Sequence, residues 1–398
     1  MKIAMVSAHA SPLSRAADPH IAGLSAELCR RGHDVTVYHR WDDPSLPERL
    51  RADAGYDVVH VPAGPRTRLA DEDVLPHMGD FTSFLLRQWS ESPPDVVHGH
   101  RWMSGLVSVL GGRRIRVPVV QTFHSLALGE TRRAAAGTGP AERGKIEALV
   151  GKEATHVVAA SAGEAFTLVR AGVARSRISI VGSGVDLSLF TPEGSRARRG
   201  RPYRVVLARP LPAHHSLDAI FTAVSRVDAA ELVVTRVPES GRADDDACFA
   251  TLRARAEEFG VASRVVFAGT VLRDAVPALL RSADAMVCAP AYDPSGVVAL
   301  EAMACGVPVV ATSAGELADV VVDGVTGLLV PPDDPEALAR ALHGLLLNNT
   351  LREGFAMASR DRVTVRYSWR RVAREVLKVY ERAGAATEKT AVMAPDPL

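Results

Sequence analysis

Ala291-Tyr-Asp-Pro-Ser-Gly-Val-Val-Ala-Leu-Glu-Ala-Met-Ala-Cys-Gly-Val-Pro-Val-Val-Ala-Thr312 carries a loop, a helix and a strand in immediate succession. It begins as a loop bearing Pro294 and Gly296, continues as a short apolar helix and ends in a buried strand from Val307. Cys305-Gly306 closes the helix, because glycine tolerates the left-handed turn at a helix C-terminus. The helix opens at Gly296, so its first-turn N–H groups and partial positive charge suit a phosphate. Asp293 precedes the helix and Glu301 lies on it, eight residues later. At about 1.5 Å per residue, Glu301 stands ~7 Å along the axis from Gly296. Two carboxylates therefore flank an anion position. A nucleotide sugar has the matching layout: hexose hydroxyls, diphosphate, ribose hydroxyls.

The same alternation runs through the chain. Strand-like apolar runs fall at 3–7, 34–38, 57–61, 95–98, 117–123, 156–160 and 178–181, and again at 203–207, 231–235, 264–268, 285–288 and 307–311. Helix-like segments separate them. In His20–Arg31 the apolar Ile21, Leu24 and Leu28 recur at helical spacing, and Arg31-Gly32-His33 reads as its C-terminus. The pattern specifies an α/β protein with two doubly wound, Rossmann-like parallel sheets, which bind ligands at the carboxyl ends of their strands. Thr191–Pro202 is polar, basic and Gly/Pro-bearing, as a linker should be. It divides the chain into an acceptor-binding domain over 1–192 and a donor-binding domain over 200–365. A final helix is expected over 366–384, carrying Trp369, Val372, Val376, Leu377 and Tyr380, followed by a disordered polar tail over 385–398.

With 398 residues and a formal charge of +1, the chain has ample length for two cores and no charge block that points to nucleic acid or an acidic membrane. Met1-Lys2 leads straight into a strand, and no apolar run reaches the ~20 residues of a membrane span. Cys29, Cys248, Cys288 and Cys305 show no paired spacing, so reduced thiols in a cytoplasmic protein are expected, with no metal site. Lysine occurs only at positions 2, 145, 152, 378 and 389. A pyridoxal phosphate Schiff base in the second domain therefore has no lysine to form on.

The segment from Asp293 to Glu301 resembles the E-x7-E signature of retaining glycosyltransferases of the GT4 family, the group 1 enzymes with the GT-B fold. That family includes sucrose-phosphate synthases and the inositol N-acetylglucosaminyltransferase of mycothiol synthesis. Other elements follow in family order. Val205–His215 resembles its Gly-Arg-Leu-x-x-x-Lys-Gly donor motif, Gln121–Leu126 its Thr-Phe-His-Ser-Leu element, His98–Trp102 its His-x-His-x-Trp, and His9–Leu13 its His-Ala-Ser-Pro-Leu. The resemblance implies two Rossmann-like domains facing across a cleft. It also implies transfer of a sugar from a nucleoside diphosphate (UDP or GDP type) to a small soluble acceptor, with retention and without a metal or other cofactor. A homodimer is left open.

The roles carried over are specific. Arg209, His214, Ser295, Gly296, Val297 and Val298 would hold the diphosphate, Asp293 a sugar hydroxyl and Glu301 the ribose. His124, Asp293 and Arg209 would act at the reacting centre. His9, Arg15, His20, His100, Trp102 and His124 would line the acceptor pocket, although Trp102 could equally be core and His124 a satisfied half-buried histidine. Arg143 and Glu147, four apart on a helix, match a family Arg/Glu pair that could be no more than an exposed ion pair.

Several positions depart from the family. The acid at 293 is Asp rather than Glu, the phosphate lysine is His214, Ser14–Asp18 replaces a glycine loop, and Thr235–Pro238 replaces Ala-Gly-Gly-Pro. These changes fit either an enzyme of specialised, natural-product metabolism with an altered donor or acceptor, or a weak or inactive homologue that binds donor or serves as a scaffold.

Overall fold

The computed structural model describes residues 1–9, 13, 19–127, 142–207, 214–236, 245–289, 296–332 and 334–393. The chain forms two compact units, one of Met1–Gly182 with Trp369–Leu398, the other of Ser183–Ser368.

The first unit holds an eight-stranded sheet: β1 (Lys2–Ser7), β2 (Asp34–Arg40), β3 (Arg49–Arg51), β4 (Asp57–Val61), β5 (Val96–His100), β6 (Val119–Thr122), β7 (His156–Ala159) and β8 (Ile178–Ile180). Their spatial order is β3-β4-β2-β1-β5-β6-β7-β8. All pairings are parallel except β3 with β4, where Arg49 opposes Val59 and Arg51 opposes Asp57. The chain winds outward from β1 through β2 and β4, then returns to β5 on the other side of β1. The switch point lies between β1 and β5, where open α/β sheets take their ligands. The second unit holds β9 (Tyr203–Leu207), β10 (Ala230–Arg236), β11 (Val265–Thr270), β12 (Ala285–Cys288), β13 (Val309–Thr312) and β14 (Gly327–Val330). Their order is β11-β10-β9-β12-β13-β14, all parallel, with the switch between β9 and β12.

Central strands read as unbroken apolar runs because helices cover both faces. Val205, Leu207, Leu232, Val234 and Val287 pack on one side of the second sheet, and Val206, Val233, Met286 and Val309 on the other. The helix Pro19–Arg30 ends as expected: Gly32 takes φ +83, and His33 N–H donates to the Leu28 carbonyl at 3.2 Å.

Four expectations are corrected. First, the unit boundary falls at Gly182/Ser183, not at 192/200. The residues after it are fastened to the second unit: Val185 and Phe190 enter its core, and Arg281 donates to the carbonyls of Thr191 (3.1 Å) and Ser195 (2.8 Å). A polar, Gly/Pro-bearing stretch is thus a strap whose carbonyls are hydrogen-bonded. Second, the last helix runs Trp369–Met393, past the 384 expected, so the tail over 385–398 begins as helix. Its early residues Trp369, Val372, Val376 and Tyr380 pack with Ile21, Leu24 and Leu28 of the first unit. Third, the helix starts at Trp369 rather than 366, so the second unit reaches Ser368 rather than 365. Fourth, two strands join those expected from the sequence, β3 (Arg49–Arg51) and β14 (Gly327–Val330).

Candidate functional site

In the first unit, four histidines gather at the carboxyl ends of β1, β5 and β6. His98 and His100 are the third and last residues of β5, His124 lies two residues beyond β6, and His20 is the second residue of the helix after β1. His100 Nδ1 and His124 Nε2 are 3.0 Å apart. The His20 ring meets His124 edge-on at 4.7 Å between centroids and Trp369 edge-on at 5.4 Å. His98 lies tilted against His100 at 4.1 Å between centroids, with both its nitrogens engaged: Nδ1 with the Tyr380 hydroxyl and Nε2 with Thr122 Oγ1, each at 2.8 Å. Burial, then the neighbouring rings, pushes the pKa of both His98 and His100 well below the ordinary histidine value, so both are neutral near pH 7.

The loop that carries His124 is built with strain. His124 has φ +62 and Arg101, at the end of β5, φ +67, a region that costs a side-chain-bearing residue roughly 1–3 kcal/mol. A buried network holds it. Arg143 pairs with Glu147 at 2.7 Å and donates to Ser125 Oγ at 2.8 Å, while Glu147 Oε2 accepts from Ala127 N–H at 2.9 Å. The pair is therefore not the exposed surface bridge considered from sequence, since the Glu147 side chain is wholly buried. It fastens the His124 loop to the helix Arg143–Glu153. Beside it, at the end of β7, Glu164 accepts from Ala160 N–H at 2.7 Å, and its own N–H donates to Ser161 Oγ, a capping box. Its carboxyl is drawn inside, and burial raises its pKa to about 7.

His9 follows β1, half-buried, at the same sheet edge. Trp102 does not join the rings: it opens the helix Trp102–Ile115 and its side chain is part of the core with Val6, Phe81 and Met103. Arg15 lies outside the described residues. A hollow of about 410 Å³ opens nearby, at the ends of β2 and β4, between Asp42, Asp43, Arg66 and Arg68. No motif pointed to it, because its charges come from separate loops.

In the second unit, Gly296 caps the helix Val297–Ala304 with φ +54. A β-carbon there would lie 3.2 Å from Val320 Cγ2 and 3.3 Å from Glu316 Cβ and Oε2, so glycine is needed for both conformation and space. Val297 and Val298 are half-buried at the helix tip. Glu301 is 2 % exposed, and Arg273 Nη1 approaches its Oε1 to 2.5 Å. Burial raises the Glu301 pKa and the Arg273 charge opposes that rise. The Arg273 guanidinium also lies over the Phe190 ring at 4.8 Å. Glu316 is buried beside Gly296, with Ser183 Oγ at 3.4 Å. Arg273 and Glu316 were not found in the sequence, since neither belongs to a motif and only the packing of separate loops brings them to the helix 297–304. Arg209, Asp293 and Ser295 lie outside the described residues, as does the segment joining β9 to the helix His214–Ser225 that His214 opens.

Comparison with known proteins is decisive about kinship. Residues 18–189 match the family model described as Glycosyltransferase Family 4, and residues 205–362 match Glycosyl transferases group 1. A D-inositol 3-phosphate glycosyltransferase of Xylanimonas cellulosilytica is 34% identical across 96% of this chain and 97% of its own length. The chain is a family 4 glycosyltransferase. A protein of the same name from Salinispora arenicola is 33% identical across 97% of this chain and 92% of its own. Among solved structures, a sucrose-phosphate synthase from Thermosynechococcus elongatus superposes with a TM-score of 0.84 at 24% identity, covering 97% of this chain and 100% of the other. Anabaena HepE, solved with UDP and glucose, gives 0.72 at 16%, covering 96% and 99%. These likenesses carry the fold, two Rossmann-like α/β units of the GT-B type. Among the described residues of this glycosyltransferase, no helix is long and apolar enough to cross a membrane.

Proposed function

We propose that this glycosyltransferase moves a sugar from a nucleoside diphosphate, UDP or GDP, to a small soluble polyol of the inositol phosphate kind, with retention at the anomeric carbon and without a metal. The observation that carries the donor half is the pairing of a glycine-opened helix tip with a buried carboxylate one turn and a half further on. Gly296, Val297 and Val298 would receive the diphosphate, joined by Arg209 and His214, while Glu301 would take the ribose hydroxyls and Asp293 a sugar hydroxyl. The acceptor class is supported by the names of the relatives and by the ring cluster, where neutral histidines offer both donors and acceptors to polyol hydroxyls.

In the transfer itself the acceptor oxygen attacks the face from which the diphosphate departs. Negative charge builds on the leaving phosphate and positive charge on the sugar ring, so catalysis is electrostatic preorganisation. Arg209 and the helix tip would meet the first charge. His124, held in its strained conformation by the Arg143–Glu147 network, would position the acceptor. Calorimetry with UDP, GDP and ADP tests the donor site: one of them binds the wild type and binds Glu301→Ala more weakly. Failure of all three to bind removes the donor assignment. Mass spectrometry of reactions pairing UDP- and GDP-sugars with inositol phosphates and a metabolite extract tests the acceptor.

A further inference from the structure

The geometry points to a site for a zinc-class divalent cation on His20, His100 and His124, and to inhibition of glycosyl transfer by an ion held there. Each of the three rings offers one nitrogen within 4.8 Å of the other two. The His100 Nδ1–His124 Nε2 distance of 3.0 Å is already close to that of two ligands on one ion. With Zn–N near 2.0–2.1 Å and tetrahedral angles, two such nitrogens stand about 3.3 Å apart. An ion would displace the proton those two nitrogens share. His20 must then move inward by roughly 1.5 Å to complete such a site. A side-chain torsion at the second residue of its helix covers that distance.

The surroundings are those of a metal site. The ligands come from three different elements, the helix Pro19–Arg30, β5 and the loop after β6, all at one sheet edge. His98 has both nitrogens committed to Tyr380 and Thr122, so it supports the His100 ring from below without competing for the ion. Trp369 closes an apolar wall against His20. Three imidazoles without a carboxylate select zinc, copper, nickel or cobalt over magnesium or calcium, and three protein ligands leave a fourth position open.

The inhibitory half rests on the proposed acceptor site, because the same ring nitrogens cannot serve ion and polyol together. The test is titration of the chelator-stripped full-length chain with Co(II), read by visible absorption. The expected result is an intense tetrahedral d–d spectrum saturating at one equivalent, displaced by Zn(II) and untouched by Mg(II). It is lost in His20→Ala and in His124→Asn, and kept in His343→Ala, a control in the helix Pro335–Leu347. Thermal melts of each variant establish that it is folded, and His20→Gln gives a second, milder removal of the same ligand. Absence of the spectrum in the wild type, or its survival in both His20 variants, overturns the site. With a sugar acceptor in hand, Zn(II) should suppress transfer at least tenfold in the wild type and much less in His20→Gln. Equal suppression in both overturns the inhibitory half. A cobalt spectrum in a chain that transfers no sugar to any polyol keeps the site and removes only the acceptor reading.

Discussion

Arg273 Nη1 stands 2.5 Å from Glu301 Oε1, which sets a guanidinium about one-third exposed against a carboxylate 2 % exposed. A buried acid that loses its counter-charge is costly, about 3–5 kcal/mol for a fully buried pair. Exposure of Arg273 screens the pair, so Arg273→Ala is expected to lower stability by roughly 1–3 kcal/mol. The pH dependence gives the sign. Burial raises the Glu301 pKa and Arg273 holds that rise in check. Without Arg273 the folded-state pKa climbs further, and the folded protein prefers the protonated acid more strongly. Stability of the variant should therefore fall more steeply than that of the wild type as pH rises from acid to neutral. Urea unfolding at several pH values measures this, and Arg273→Ala/Glu301→Gln should recover much of the loss.

Glu164 makes a second pH prediction. Its folded pKa of about 7 lies above the ordinary 4.5, the reverse of the usual case for a carboxylate. The folded chain binds a proton between those values that the unfolded chain releases. Stability from this group is complete below 4.5 and is lost as pH rises through 7. At about 1.4 kcal/mol per unit, the span is at most about 3.5 kcal/mol. Glu164→Gln keeps an acceptor for Ala160 N–H but cannot ionise. Its stability should fall less steeply than that of the wild type from pH 4.5 to 7; a wild-type slope retained by the variant rejects the assignment.

Gly296→Ala should be costly for two reasons at one atom. The left-handed backbone at φ +54 costs an alanine about 1–2 kcal/mol. Its methyl would also press on Val320 and Glu316, at 3.2 and 3.3 Å. A total of roughly 2–3 kcal/mol is expected from strain and overpacking, seen as a clear drop in melting temperature. Nucleoside diphosphate affinity should fall with it, because the helix tip shifts. Gly344→Ala, on an exposed face of the helix Pro335–Leu347 with open space, should leave affinity unchanged and raise stability by about 0.5–1 kcal/mol.

Much of this was legible because the relevant signals are local in the chain. Parallel strands buried on both faces are apolar runs, and helix ends need glycine, so Val205–Leu207, Ala285–Cys288, Gly32 and Gly296 declare themselves. The strap at Thr191–Pro202 misled because composition reports that a segment is polar, not that Arg281 collects the carbonyls of Thr191 and Ser195. The strand Arg49–Arg51 is only three residues paired antiparallel at an edge, and Leu50 is its one apolar side chain, half-buried between two exposed arginines. In the site, the histidines stand in recognisable tripeptides, whereas Arg273 and Glu316 act through partners that only folding brings near. Trp102 shows the converse, a motif residue whose side chain belongs to the core.

Tyr380→Phe isolates the support beneath the ring cluster. The Tyr380 hydroxyl is buried, and its one polar ring partner is His98 Nδ1 at 2.8 Å. Removing it strands a nitrogen in a site that water does not reach, at a cost of about 1–3 kcal/mol. The helix Trp369–Met393 should stay docked, since Trp369, Val372, Val376 and Val379 hold it through apolar contact. The loss should therefore appear as a modest fall in stability with the native fold intact. The His98 ring would then be fixed by Thr122 alone, freeing its tautomer. Nitrogen-15 NMR of the histidine rings should show the His98 resonances shift or broaden, with a smaller change at His100, whose ring centroid is 4.1 Å away. If the His98 signals are unmoved and stability is unchanged, the hydroxyl does not set the ring, and the rigidity of the cluster must come from packing alone.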